Sequence, residues 1–313
     1  MKAIRLHTYG GPLTLEDVPA PAATDDDVLV KVRSTAVNHL DLVEASGAAR
    51  EIFPIELPWI PGHEFSGVVE RVGKDVRGFA VGDEVFGNSQ SGAYAEYVSV
   101  KSTAIVNKPS NLSHEEAASV PVAAQTAWQG VFSHGRLAKG QTILIHGGAG
   151  AVGAYAVQLA AQAGAKVVVT ASGDDTAYLM SIGANRIIDF RTARFENELP
   201  DKVDVVFDLI GGETQQRSFQ VLKKGGYLIA ANQPVSQEQA AKYGVTGVMM
   251  SLAPSADGLS RIASMLGEGK LRADVATVYA LADAARAWDD MTGGPASATR
   301  ARSAHGKVVL RLG

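Results

Sequence analysis

Residues 142–163 read TILIHGGAGAVGAYAVQLAAQA, and the fold class turns on them. Thr142–His146 is an apolar run of strand length, and Ala151–Ala163 has Ala154, Val157, Leu159 and Ala160 to bury along a helix. Between them Gly148-Ala149-Gly150-Ala151-Val152-Gly153 fits G-x-G-x-x-G. In a chain with 33 glycines among 313 residues the string alone says little. Set between a strand and a helix it becomes a dinucleotide-binding fingerprint. Gly148 suits a tight turn, Gly150 lets backbone approach a pyrophosphate, and Gly153 lets the helix lie close on the sheet, its N-terminus facing the phosphates. The bland alternative is a plain glycine-rich βα turn.

Downstream the alternation continues. Strand patterns at Val167–Ala171, Asn185–Ile188, Val203–Asp208, Tyr227–Ala230 and Val245–Met250, with a helix over Asp174–Ile182, predict βαβ units in a doubly wound parallel sheet. After the second strand come Thr170-Ala171-Ser172-Gly173, with no carboxylate at the tip to hold an unphosphorylated ribose. Small neutral residues leave room for a 2′-phosphate, to which Ser172 can donate and with which Arg191 can pair. NADP(H) is therefore the expected cofactor. Asp174 and Asp175 read as carboxylates at a helix start. Ile210, Gly211 and Asn232 follow the fourth and fifth strands, where loops line the ligand crevice of such a sheet.

Upstream the chain is strand-rich: Asp27–Ser34 alternates apolar and polar residues, Phe65–Val72 and Tyr94–Val100 read similarly, and glycine turns separate them. This predicts a partly closed antiparallel β domain. Ser113 and Glu116 form a capping-box pattern, and Val122–Phe132 reads as one helix. Beyond Ser251 a helix (Leu259–Gly267), a strand near Val275, a helix (Ala282–Asp290) and a strand (Lys307–Leu312) are too few for a core of their own, so they complete the first domain. The expected domains are 1–121 with 254–313, and 122–253.

Composition narrows the function. The apolar fraction of 46% and charged fraction of 20% suit two ordinary cores, and a net charge of -4 gives no reason to expect nucleic acid or an anionic membrane. There is no cysteine, so disulfides, thiolate catalysis and cysteine-held metal are excluded. No apolar run approaches the ~20 residues of a membrane helix, and the N-terminus has no apolar leader segment. A cytoplasmic protein is expected.

With these motifs in place the chain resembles the medium-chain dehydrogenase/reductase superfamily, in its quinone oxidoreductase branch. The likeness runs through Val37-Asn38-His39-Leu40-Asp41, Pro61-Gly62-His63-Glu64-Phe65-Ser66-Gly67, Val81-Gly82-Asp83-Glu84-Val85-Phe86-Gly87, Val120–Trp128, the fingerprint, and His305–Leu310. It implies a Rossmann domain inserted into a GroES-like β domain, with hydride transfer at the cleft between them, and a homodimer. Zinc-dependent relatives hold catalytic metal with a cysteine and the histidine of a GHE segment. Here Asn38 replaces the cysteine and the structural zinc lobe is missing, so no metal is expected. A nitrogen/oxygen site made from His39, Asp41, His63 and Glu64 is the alternative, with His63 and Glu64 otherwise read as structural.

Without a metal Lewis acid, a quinone or α,β-unsaturated carbonyl is the easier acceptor, because its electron-poor π system takes hydride directly. Asn38 is the first candidate for orienting substrate, with Asp41 orienting Asn38 or a water. By analogy Thr126 touches the nicotinamide end. Phe53 and Trp59 are candidate pocket walls, and core packing is the plain reading of each. Lys307 and Arg302 are candidates for the cofactor phosphate, or surface charges. A zinc-dependent alcohol dehydrogenase and a cofactor-binding, crystallin-like protein are the rival readings.

Overall fold

The computed structural model describes Met1–Thr292 and His305–Gly313. It divides into two compact units, Met1–Val122 with Pro254–Gly313, and Ala123–Ala253.

The first unit opens with a hairpin, β1 (Lys2–Leu6) and β2 (Leu13–Asp17), followed by β3 (Asp27–Ala36), β4 (Glu64–Val72), β5 (Glu84–Asn88), β6 (Tyr97–Lys101) and β7 (Ile105–Asn107). Along β3 the period of two decides which side is buried: Val28, Val30 and Val32 enter the core while Lys31 faces solvent. Between β3 and β4 lies α1 (His39–Ser46). It ends at Gly47, whose φ of 71° is the left-handed geometry that terminates helices. Helix α2 (His114–Ala118) carries the predicted capping box: Ser113 N–H donates to Glu116, and Glu116 N–H to the Ser113 hydroxyl.

Helix α3 (Pro121–Trp128) leads into the second unit. The sequence predicts one helix over Val122–Phe132. Instead the coil widens to a π-helix at Gln129–His134, where Gly130 lies against the Phe207 ring with no room for a β-carbon. Then come β8 (Thr142–His146), α4 (Ala151–Gln162), β9 (Lys166–Ala171), β10 (Arg186–Asp189), β11 (Val203–Asp208), β12 (Leu222–Ala230) and β13 (Thr246–Met249). All six strands run parallel in the order β10-β9-β8-β11-β12-β13. This is the doubly wound α/β order, and its direction reverses between β8 and β11. Leu144, Val168, Val206 and Leu228 are almost wholly buried on successive strands. Each such side chain contributes about 1.5–3 kcal/mol.

The helix expected over Asp174–Ile182 is shorter. Gly173–Asp175 forms a 3-10 turn and the α-helix runs over Thr176–Ser181. Ser172 is the cap here, accepting from Asp174 N–H, so the carboxylates of Asp174 and Asp175 do not cap as expected. Asp174 pairs with Arg191 instead.

The chain then returns to the first unit. Helix Ala256–Gly267, β14 (Val275–Ala280), helix Ala284–Thr292 and β15 (Lys307–Arg311) follow. β15 pairs antiparallel with β3 and parallel with β14, which makes the tail part of the first unit's sheet. Among the described residues no helix is long and apolar enough to cross a membrane.

Candidate functional site

In the second unit the sequence-predicted residues gather at the carboxyl ends of β8, β11 and β12. The sharp turn after β8 is made by Gly147, with φ at 76°, and not by Gly148 as the fingerprint suggested. Gly148 is required for space: a β-carbon there would lie 2.1 Å from Val169 Cγ1. Gly153 is required for helix packing, since its β-carbon would meet the Gly147 carbonyl oxygen at 2.3 Å. Gly150 is different. Its β-carbon would touch only the Gly147 oxygen, at 3.4 Å, and the residue is exposed, so the space before it is open. Ala149, Ala151 and Val152 are half-buried around it, and α4 begins at Ala151. A cradle that the protein leaves empty on one side, at a helix N-terminus, fits a pyrophosphate.

Ile210 projects beside this turn, 56% exposed, close enough that a Gly147 β-carbon would lie 3.1 Å from its Cδ1. Its backbone is set by Asp208, whose buried carboxylate accepts from Ile210 N–H at 3.0 Å and Gly211 N–H at 2.9 Å. Gly211 has φ of 83°, and a β-carbon there would meet Gln233 and Asn232, so the loops after β11 and β12 are packed together. Thr126 is half-buried on α3. Ser172 and Arg191 are also brought together: both donate to the Asp174 carboxylate, at 3.2 Å each, and Arg191 also pairs with Asp189.

Sequence reasoning missed His146 as an anchor of this turn. It is fully buried at the end of β8, with Nδ1 2.8 Å from the Thr170 hydroxyl and Nε2 3.0 Å from the Ser218 hydroxyl. Ser218 gives its one proton to the Thr214 carbonyl, so it must accept from His146 Nε2–H, and Thr170 then donates to Nδ1. Burial pushes the His146 pKa down to about 3, which keeps the ring neutral as this arrangement needs.

In the first unit a second set of polar residues forms one connected network. Asn38, at the start of α1, is buried; its amide nitrogen donates to Glu64 at 2.9 Å and to the Ala36 carbonyl at 3.4 Å, and its oxygen accepts from Lys307 at 2.5 Å. Both amide hydrogens are used, so the expectation that Asn38 donates to a substrate gives way. Lys307 is 5% exposed and pairs with Glu64, which corrects the reading of Lys307 as a surface or phosphate-binding charge. Arg302 lies outside the described residues. Glu64 also accepts from Val122 N–H at 2.7 Å.

Asp41 is reached through the backbone of Asn38, not its side chain. One carboxylate oxygen accepts from Asn38 N–H at 2.8 Å and from the Tyr94 hydroxyl at 3.0 Å, and Trp288 donates to Tyr94 in turn. Burial raises the Tyr94 pKa well above its ordinary value, so it stays a donor. The other Asp41 oxygen is buried without a hydrogen bond and lies 3.5 Å from His63 Nε2. Glu44, one helical turn after Asp41, meets the same nitrogen at 2.7 Å. Burial by itself would lower the His63 pKa, but the Glu44 hydrogen bond and the charges of Asp41, Glu44 and Glu64 outweigh it and hold the pKa above the ordinary value. Trp59 is bridged to Leu6 through its backbone and Phe53 closes a turn on Ala49; both are half-buried.

Asp41, Glu44 and His63 place ligand atoms within 4.8 Å of one another. The geometry does not fit a catalytic zinc. With bonds of about 2.0–2.1 Å, the 2.7 Å between His63 Nε2 and Glu44 Oε2 would close the angle at the metal to roughly 80°, against ~109° for a tetrahedron. A shared proton accounts for that contact. Asn38 and Glu64 are already committed to Lys307.

Residues 24–110 match the alcohol dehydrogenase GroES-like domain, and residues 182–310 match the zinc-binding dehydrogenase family. The chain is 37% identical to the 2-methylene-furan-3-one reductase of Solanum lycopersicum over 73% of its length and 61% of that protein. It is 36% identical to the chloroplastic NADPH-dependent alkenal/one oxidoreductase of Arabidopsis thaliana, over 74% of its length and 62% of that protein. It thus matches about three fifths of these two plant proteins. The solved quinone oxidoreductase of Coxiella burnetii superposes with a TM-score of 0.87 at 30% identity, covering 100% of this chain and 99% of that one.

Proposed function

The chain belongs to the medium-chain dehydrogenase/reductase superfamily, in its quinone oxidoreductase branch, and from that premise we propose that it is an NADPH-dependent oxidoreductase transferring hydride to a quinone or an α,β-unsaturated carbonyl without zinc. The observation that carries this reading is the Gly147–Gly153 turn, left open before Gly150 where the strand order of the second unit reverses. The similarity to an alkenal/one oxidoreductase and a furanone reductase supports the acceptor class. The donor set of Asp41, Glu44 and His63, unfit for tetrahedral zinc, supports the metal-free part.

When bound, NADPH supplies the hydride. The chain's residues do the rest. The amides opening α4 and the cradle at Gly150 hold the pyrophosphate. Ile210, Gly211 and Asn232 bound the nicotinamide end with Thr126, and Ser172 with Arg191 takes the 2′-phosphate once Arg191 exchanges Asp174 for it. The first unit is the substrate domain, with Trp59 and Phe53 as pocket walls. We further place the protein in the cytoplasm as a homodimer. β13, the outer strand of its sheet with Met249 49% exposed, supports the dimer. Cell fractionation and sedimentation check these two points.

The test is NADPH oxidation with matched quinones, enones and aldehydes, with and without a chelator. Turnover on quinones or enones that is indifferent to chelator, with NADPH preferred over NADH, is expected. Turnover on aldehydes alone, abolished by chelator, would favour the zinc-dependent reading. Tight NADPH binding with no turnover would favour a non-enzymatic protein.

A further inference from the structure

We propose that His63, held through Nε2 by Glu44 and Asp41, is the acid that completes the reduction, giving the proton on Nδ1 to the carbonyl oxygen that becomes electron-rich as hydride arrives. The inference rests on the functional reading above and assigns the proton that reading leaves open.

Three observations carry it. First, the imidazole is used on one side only. Among the described residues every hydrogen bond and ion pair of the His63 side chain runs through Nε2, to Glu44 at 2.7 Å and Asp41 at 3.5 Å. The ring is 27% exposed, so Nδ1 is the nitrogen left for water or a substrate. Second, the buried charges leave room for one more proton. Asp41 and Glu44 on α1 and Glu64 on β4 face His63, while Lys307 pairs with Glu64 and the Tyr94 hydroxyl donates to Asp41. One ammonium leaves two of the three buried carboxyl groups uncompensated; a proton on His63 offsets one of them, and burial itself pushes the Asp41 pKa up. Third, the buried Asp41 oxygen that no hydrogen bond satisfies lies closest to this ring. An imidazolium opposite two fixed carboxylates is held in one orientation with its free N–H outward.

The step balances. For an enone, the electron pair leaving C4 of NADPH forms the C–H bond at the β-carbon, and the displaced π pair ends on the carbonyl oxygen. That oxygen takes H⁺ from His63 Nδ1. NADPH is oxidised to NADP⁺, the acceptor gains two electrons and two hydrogens, and the neutral imidazole recovers its proton from water.

The test uses the protein with both units intact, NADPH and one enone. For wild type, kcat/KM should fall as pH rises through the His63 pKa. In H63Q it should drop about a hundredfold, the range of a lost general acid, and lose that alkaline fall. E44Q, which keeps the imidazole and removes a partner that raises its pKa, should move the alkaline fall to lower pH; it serves if H63Q does not fold. Independently of turnover, the ¹⁵N shifts of His63 should show both ring nitrogens protonated at pH 7 in wild type. A neutral His63 at pH 7, or H63Q with wild-type rate and pH profile, overturns the proposal while leaving the functional reading intact. A wild-type enzyme that consumes no NADPH with any quinone or enone overturns that reading, and this role with it.

Discussion

Acidification should weaken the second unit through a single residue. His146 is fully buried and neutral, wedged between Thr170 and Ser218, with its pKa pushed down by burial to about 3. In the unfolded chain it recovers its ordinary value near 6.5. Between those two pH values the unfolded chain binds a proton that the native protein refuses, so stability rises with pH across the window and falls on acidification. Each pH unit below 6.5 removes about 1.4 kcal/mol until pH nears 3, so going from pH 7.5 to 5 removes about 2 kcal/mol. The perturbation is H146Q, whose amide can still donate to Ser218 but cannot titrate. Urea unfolding of both proteins at intervals from pH 7.5 to 5 gives the comparison. Other titrating groups, His63 included, contribute equally to both and cancel. The wild type should lose about 2 kcal/mol more than H146Q over this range. Parallel stability curves would refute the reasoning, because they would mean the native site accepts the proton after all. The consequence reaches function, since His146 directly precedes Gly147 and its two hydroxyl partners tie β8 to β9 and to the helix after β11.

The glycine turn makes a paired prediction. G148A forces a β-carbon to 2.1 Å from Val169 and should lose about 1–3 kcal/mol of stability in urea unfolding. G150A meets only one ordinary contact; it should change stability by less than about 1 kcal/mol yet weaken NADPH binding by about tenfold or more, read by fluorescence titration. K307M leaves Glu64 buried without its cation, and about 3–5 kcal/mol should be lost. Adding E64Q to K307M should recover part of that, and urea midpoints of the three variants decide it.

The parts of the fold set by local pattern were legible in the sequence. Val203–Asp208 matches its predicted strand to the residue, and the Ser113–Glu116 capping box formed as read. The cradle was legible because it depends on adjacent residues. Its mechanics were only partly so: G-x-G-x-x-G does not show that Gly147 makes the turn while Gly148 makes room for Val169, a contact between the turn and β9. The second polar set was misread for a similar reason. Asn38 looks like a free amide until Lys307, 269 residues away, is placed on it. One local signal was there to be used: Asp41 and Glu44 stand three apart on a helix, which puts both on one face. The histidine they share comes from a different segment, and no spacing rule connects them.

That distance has a consequence for how the first unit becomes competent. Glu64 and Asn38 are supplied by the first 122 residues, whereas the cation that neutralises them arrives on the last strand, after the whole second unit. β15 reaches its place by pairing with β3 at Ser34, Thr35 and Ala36, with only Val37 between that ladder and Asn38. Docking that strand therefore delivers Lys307 to a carboxylate that burial would otherwise disfavour. The N-terminal segment supplies α1, the His63 cluster and the strands from β3 to β7, and β14 and β15 complete that sheet from the tail. The polar network thus links the last strand to the site: Lys307 on β15 is bonded to Asn38 at the start of α1, the helix that carries Asp41 and Glu44.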